Sequence, residues 1–349
     1  MTSKSPTSDI ITSLARSLED MAAEEEIQSL IQFSFMKPYL AELLDACRDA
    51  NLDLIVLKGA ALAETIYPRP SLRLFGDLDV LVRASEAKRV RSLLEFLGYV
   101  GDARHWGELV DGQNCQVNFF KHPERGVVVV ELHTQLVNNP FFFGMVRFEE
   151  EAVWARAESA RLAGREALVL GPEDQLLHLC LHLACHYLSA PRSLRDIDQL
   201  CRACAIDWPL FLTIAGRSGA QVACFASLFS VQHLLGTPVP QSTLDELAPR
   251  FGRRMLERNS AERAVDISES RTEALRFPLL MQFLETPAAR WHAVRQILLP
   301  SPHWLISHYY FDRYSGTEPS TLTWQAHLAL IAAHWAALLR RLARMIRMR

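Results

Sequence analysis

The chain has no excess of positive charge: its formal net charge is -3 over 349 residues. That argues against a general nucleic-acid coat, which depends on a clear surplus of lysine and arginine. A cysteine framework is missing too. Seven cysteines are scattered through apolar runs such as Leu179-Cys180-Leu181 and Val222-Ala223-Cys224, which reads as reduced thiols in a cytoplasmic protein. The N-terminus is polar and then acidic (Glu19, Asp20, Glu24, Glu25, Glu26). With no basic segment leading into an apolar one, no signal peptide is expected. The longest apolar stretch near the C-terminus, Trp324 to Leu339, is interrupted by Gln325, His327 and His334. It falls short of the ~20 apolar residues that a membrane-spanning helix needs. Internal repeats and low-complexity segments are absent as well.

What is present is ordinary globular material. Hydrophobic residues make up 49% of the chain, enough for a sizeable core, and the length suggests two domains. Charge is unevenly spread: residues 1–50 hold nine acids and four bases, residues 290–349 eight bases and two acids. Ile10, Leu14, Leu18 and Met21 recur at helical spacing, and Leu40, Leu43, Leu44 and Cys47 predict a second helix opened by Pro38. Residues 1–8 are expected to be disordered.

The period then changes. Leu54-Ile55-Val56-Leu57 is a short apolar run meeting Lys58-Gly59, which predicts a buried strand and a tight turn. A short helix from Ala60 to Ile66 stops at Tyr67-Pro68. Asp77 to Val82 predicts a second strand, and a helix over about 85–97 ends at Gly98. Cys115–Phe120 and Val127–His133 predict two more strands, the latter rich in β-branched residues. Ala167–Leu170 adds a candidate edge strand. From Pro172 onward the pattern is helical. The expected layout is an N-terminal extension over 1–29, an α/β domain over 30–170 and a helical domain over 171–349.

Along a strand, alternate side chains share a face, so Asp77 and Asp79 point one way, and Glu131 and His133 do likewise. Paired carboxylates repel, and a divalent cation relieves the conflict. A third carboxylate from a neighbouring strand would complete a two-metal site for phosphoryl transfer. The plain reading of Asp-x-Asp is an exposed edge-strand pattern. Its setting argues otherwise, because Asp77 opens an apolar strand and Glu131 directly follows four valines. Gly59 and Gly76 both precede Asp77 in the chain, Gly76 directly. Gly59, between a strand and a helix, lets the backbone approach a phosphate, with Lys58 and Arg73 as cations beside it. Arg69 reads equally well as a solvated surface charge.

These residues resemble a known family. Leu57-Lys58-Gly59-Ala60-Ala61-Leu62, Tyr67-Pro68, Arg73 and Asp77-Leu78-Asp79-Val80-Leu81-Val82 are similar to bacterial uncharacterised nucleotidyltransferases of the DNA polymerase β-like superfamily. The likeness continues through Leu97-Gly98-Tyr99, Glu131-Leu132-His133, Pro172-Glu173-Asp174-Gln175-Leu176-Leu177-His178-Leu179 and Arg195-Asp196-Ile197-Asp198-Gln199-Leu200. It covers about residues 50 to 240. The resemblance implies an α+β fold, a mixed sheet with flanking helices followed by a mostly helical domain. It also implies that Asp77, Asp79 and Glu131 hold Mg²⁺ or Mn²⁺. The implied reaction moves an NMP group from an NTP, with ATP expected, to an acceptor hydroxyl, releasing pyrophosphate. One departure stands out: better-studied branches have a serine after the glycine of the turn, and here the residue is Ala60. Family members commonly accompany peptide natural-product or surface-polysaccharide genes, so the resemblance does not settle the acceptor; a small molecule, a peptide or a sugar is expected. Related phosphoryl or pyrophosphoryl transfer, a toxin-like enzyme modifying tRNA, and a non-catalytic nucleotide-binding module are the alternatives.

Other features have bland readings beside functional ones. His178, His182 and His186 form a helical stripe near Cys185, Cys201 and Cys204. That set can suggest zinc, but its setting among leucines favours packing. Arg195, Asp196 and Asp198 read either as helix-start electrostatics or as an acceptor site. The helix from Trp324 ends in Arg340, Arg341, Arg344, Arg347 and Arg349, which suits a helix C-terminus without any further role and otherwise an anionic membrane or RNA surface.

Overall fold

Apolar runs too short for a helix make the centre of the sheet. In the computed structural model, which describes residues 6–102, 116–124, 126–137, 149–250, 252–265, 281–300 and 324–347 with isolated residues between them, seven strands form one mixed sheet. Expectations for residues 1–5, Cys115 and the last two residues lie outside this description. The strands are β1 (Ile55–Val56), β2 (Leu78–Leu81), β3 (Val100–Gly101), β4 (Gln116–Lys121), β5 (Val128–His133), β6 (Glu158–Leu162) and β7 (Arg165–Val169). Their order is β3-β4-β5-β2-β1-β7-β6. β1 runs antiparallel to β2 and parallel to β7, and β6 and β7 form an antiparallel hairpin. The sequence predicts a lone edge strand near residue 167. In the structure β7 is interior and β6 is the edge, joined to it by Ala163 and Gly164, both at positive φ. Two such residues are what the right-handed twist of a tight hairpin demands.

The chain divides into two compact units that interleave along the sequence, the division falling inside β4 and β5. The first comprises Met1–Val100, Phe119–Glu131 and Glu158–Val169. It contains α1 (Pro6–Asp49), α2 (Lys58–Thr65) and α3 (Ala87–Phe96). Its core is built from Ile55, Val56, Leu57, Leu78, Val80, Leu81, Val90 and Leu94, all fully buried. Gly98 ends α3 with φ +85°, the left-handed conformation that glycine adopts without strain.

One expectation is corrected here. Instead of two helices meeting at Pro38, α1 is a single helix of 44 residues with Pro38 inside it. A proline in a helix interior costs about 3 kcal/mol through a lost hydrogen bond and a ring clash. Met36, Leu40, Leu43 and Cys47, spaced along one face and buried, offset that cost by packing.

The second unit (Gly101–Asn118, Leu132–Ala157 and Leu170–Arg349) is mainly helical. After α4 (Glu150–Ala155) come α5 (Pro172–Cys185), α6 (Pro191–Ala203), α7 (Trp208–Ser218), α8 (Gln221–Leu235), α9 (Gln241–Leu247), α10 (Arg253–Val265), α11 (Pro287–Leu298) and α12 (Trp324–Arg347). α5 is the central helix. Nearly all of it is buried, and α6, α7 and α8 pack around it. Ser227 on α8 donates to the Cys180 carbonyl on α5 at 2.8 Å, closing a polar gap in this core. Asp174 near the start of α5 is buried, and Arg156 grips it through two hydrogen bonds of 2.6 and 2.9 Å.

Candidate active site

Pairing of β1 with β2 decides where the site chemistry sits. The Leu57 amide donates to the Asp79 carbonyl at 2.9 Å, extending that ladder to the last residue before α2. Asp79 is therefore on an interior strand whose four residues are all buried, not on an exposed edge. β5 is the next strand over, and Glu131 and His133 share one of its faces. One ligand atom from each of Asp79, Glu131 and His133 lies within 4.8 Å of the others. Among the described residues this is the one group of three or more His, Cys, Asp or Glu side chains so close together.

Lys58 joins this group. Its ammonium is 2.6 Å from Asp79 Oδ1 and 3.9 Å from Glu131 Oε2. Burial works against the charge, but attraction to Asp79 and Glu131 outweighs it and holds the ammonium above the ordinary lysine range. The backbone at Lys58 has φ +43°. A side-chain-bearing residue takes that conformation at some strain, which tends to mark functional turns. Asp77, immediately before β2, is not among the three converging groups, yet it feels them. Burial first, then the charges of Asp79 and Glu131, push its carboxyl up to about 6, against the pull of Lys58 and Arg73.

The remaining expected site residues are placed as follows. Gly59 follows Lys58 at the head of α2, where no side chain caps the helix. A β-carbon on Gly59 would overlap Phe75, so close packing, not a positive φ, requires glycine here. Gly76 is exposed, and a β-carbon there would meet nothing within 4 Å. Arg73 donates to the Leu74 carbonyl and sits near enough to Asp77 to act on its charge. Arg69 pairs with Glu26 at 3.3 Å, and Ser71 donates to the same carboxylate at 2.8 Å, tying the segment before Asp77 to α1.

His133 is the residue that sequence reasoning placed on the right face but did not count among the ligands. Its signal was the spacing Glu131-x-His133 at the end of a strand. The zinc reading gains nothing from the second unit. His178 is buried with Nδ1 at 2.8 Å from the Leu136 carbonyl, and His182 and His186 stack edge to face at 4.5 Å. Burial pushes the Cys201 thiol up to about 12, which disfavours the thiolate a metal needs. Asp198 accepts from Arg202 within α6 and from Thr237 beyond α8, both at 2.8 Å. Among the described residues no helix is long and apolar enough to cross a membrane.

Over residues 13–236 the chain matches the family described as uncharacterised nucleotidyltransferase. The chain belongs to that family. This nucleotidyltransferase match spans the whole carboxylate and lysine constellation together with the helices through α8. Among solved structures, the chain is similar to an antigenic nucleotidyltransferase-like protein from Paracoccidioides brasiliensis. The two share 16% identity with a TM-score of 0.40, over 60% of this chain and 92% of that one. No protein of curated function matches.

Proposed function

We propose that the chain is a metal-dependent nucleotidyltransferase of the polymerase β-like type, moving an NMP group from an NTP, with ATP expected, to an acceptor hydroxyl. The observation that carries this reading is the convergence of Asp79, Glu131 and His133 on interior strands, beside Lys58 and the uncapped head of α2. The donor set fits a hard divalent cation: carboxylate oxygens suit Mg²⁺ or Mn²⁺, and an imidazole favours Mn²⁺ of the two. Asp77, Asp79 and Glu131 would hold the ion, with His133 completing the set. Such an ion, when bound, polarises the phosphate and stabilises charge spreading onto the leaving oxygen.

The chain's own residues do the rest. Lys58, Gly59 and Gly76 line the turn for the triphosphate, and Arg73 supplies a cation near it. Glu131 accepts the proton of the acceptor hydroxyl. The acceptor oxygen bonds to the α-phosphorus as the bond to the β-phosphate oxygen breaks, and pyrophosphate leaves. We read residues 30–170 as the nucleotidyltransferase domain and 171–349 as a helical domain. A cytoplasmic location suits cysteines scattered through apolar runs. The acceptor we favour is a small molecule, peptide or sugar of a bacterial natural-product pathway. RNA is less favoured, because the net charge is -3.

The test is pyrophosphate release from each of the four NTPs with Mg²⁺ or Mn²⁺, supplied with a cell extract as acceptor source. Release by the wild type that disappears in Asp79→Ala supports the proposal. No release, together with no metal-dependent NTP binding, overturns it in favour of a non-catalytic relative.

A further inference from the structure

Lys58 is an unexpected residue to find buried at the head of a helix. Its backbone is strained, its side chain is only 10% exposed, and its ammonium lies against Asp79 and Glu131 rather than reaching for solvent. Nζ sits at 2.6 Å from one carboxylate and 3.9 Å from the other. An ammonium there does the electrostatic work of a bound cation, since it neutralises a buried and a half-buried acid that otherwise repel. It also engages two of the three side chains that would hold a divalent ion. Two cations a few ångströms apart in such poorly solvated surroundings repel strongly.

We infer that Lys58 is a tethered counter-ion that competes with the divalent metal for Asp79 and Glu131, so that metal loading swings its ammonium out of the carboxylate pair. This rests on the metal reading proposed above. The competition makes metal affinity a difference between two occupants of one site, and Lys58 sets the concentration at which the metal wins. The released ammonium remains attached beside Gly59, at the head of α2, where an anionic phosphate is the natural new partner. Metal and nucleotide then reinforce each other, because each favours the same position of Lys58. The arrangement also protects the protein without metal, since buried Asp79 is never left without a cation.

The experiment uses the full chain and Mn²⁺ alone, without nucleotide. Mn²⁺ affinity is measured by titration calorimetry for the wild type, Lys58→Met and Lys58→Arg. Acetylation of Lys58 in the wild type by acetic anhydride is followed by mass spectrometry with and without saturating Mn²⁺. We expect Lys58→Met to bind Mn²⁺ roughly 5–150-fold more tightly than the wild type, the usual range of coupling between sites. Lys58→Arg, which keeps the charge, should bind no more tightly than the wild type, and Mn²⁺ should speed acetylation of Lys58. If Lys58→Met does not fold, the acetylation of the wild type decides alone. Equal or weaker Mn²⁺ binding by Lys58→Met, or acetylation unchanged by bound Mn²⁺, overturns the displacement and leaves the metal site standing. Absence of Mn²⁺ binding to every one of these proteins overturns both.

Discussion

Lys58 Nζ and Asp79 Oδ1 approach to 2.6 Å inside the sheet-to-helix turn, with Asp79 almost fully buried. The pair exists because the β1–β2 ladder runs one hydrogen bond further than the strands themselves, from the Leu57 amide to the Asp79 carbonyl. That bond fixes the backbone of one partner against the neighbour of the other. The backbone is held while the Lys58 side chain reaches across to Asp79, and expectations for experiment follow from this geometry and from packing elsewhere in the chain.

Removing one member of a buried ion pair leaves the other uncompensated, which typically costs about 3–5 kcal/mol, whereas replacing both by apolar groups is often nearly neutral. Asp79→Ala should therefore lose both pyrophosphate release and stability. The double variant Lys58→Met/Asp79→Leu should regain most of the stability while staying inactive. Urea unfolding of the two single variants and the double variant measures the coupling. If the single and double losses simply add, the pair contributes nothing as a pair.

Asp77 gives a pH signature. Its folded carboxyl is pushed up to about 6 by burial and by Asp79 and Glu131, against an ordinary 3.8. The folded protein then binds this proton more tightly than the unfolded chain, so the contribution to stability falls as pH rises from 3.8 to about 6. With chelator present, Asp77→Asn should abolish that fall and be more stable than the wild type at pH 7, by about 1–3 kcal/mol. The same variant should release less pyrophosphate. Denaturant midpoints at several pH values check this, and parallel curves for the two proteins would contradict it.

The two glycines should separate cleanly. Gly59→Ala drives a methyl into Phe75, and overpacking of this kind costs about 1–3 kcal/mol. Gly76→Ala meets open space and should melt within a degree or two of the wild type. Thermal melting decides. A Gly59→Ala protein as stable as the wild type would mean that Phe75 yields.

In the helical unit, Arg156→Ala should cost about 3–5 kcal/mol by leaving Asp174 buried without its partner. Arg156→Lys keeps the charge but not the two-pronged grip seen at 2.6 and 2.9 Å, and should cost about 1–2 kcal/mol. Equal losses for the two variants would show that the geometry of the fork is irrelevant.

Much of this arrangement is legible in the sequence, for reasons that also mark where reading stops. β1, β2, β5 and α3 announce themselves by apolar runs, β-branched residues and the glycine after α3, because each buries a face and ends at a turn. The carboxylate positions follow from strand alternation. β6 is not legible: Glu158-Ser159-Ala160-Arg161-Leu162 is an edge strand with little to bury, so it lacks an apolar pattern. The continuity of α1 through Pro38 is hidden too, since local rules break the helix there and distant packing overrides them. Most instructive is Lys58. The sequence supplies a cation beside a turn and suggests phosphate, but side-chain direction depends on a positive φ and on acids that are 21 and 73 residues away in the chain.

Pairing of Ile55 with Leu168 joins residues more than a hundred positions apart. Until the ribosome has delivered the β6–β7 hairpin, β1 is a bare apolar edge, able to template pairing with another nascent copy. Closing so long a loop is slow compared with folding neighbouring segments. The first unit is consequently completed late in synthesis, after parts of the second have emerged. Chains truncated before residue 158 should collect in the insoluble fraction even though every proposed metal ligand is present in them.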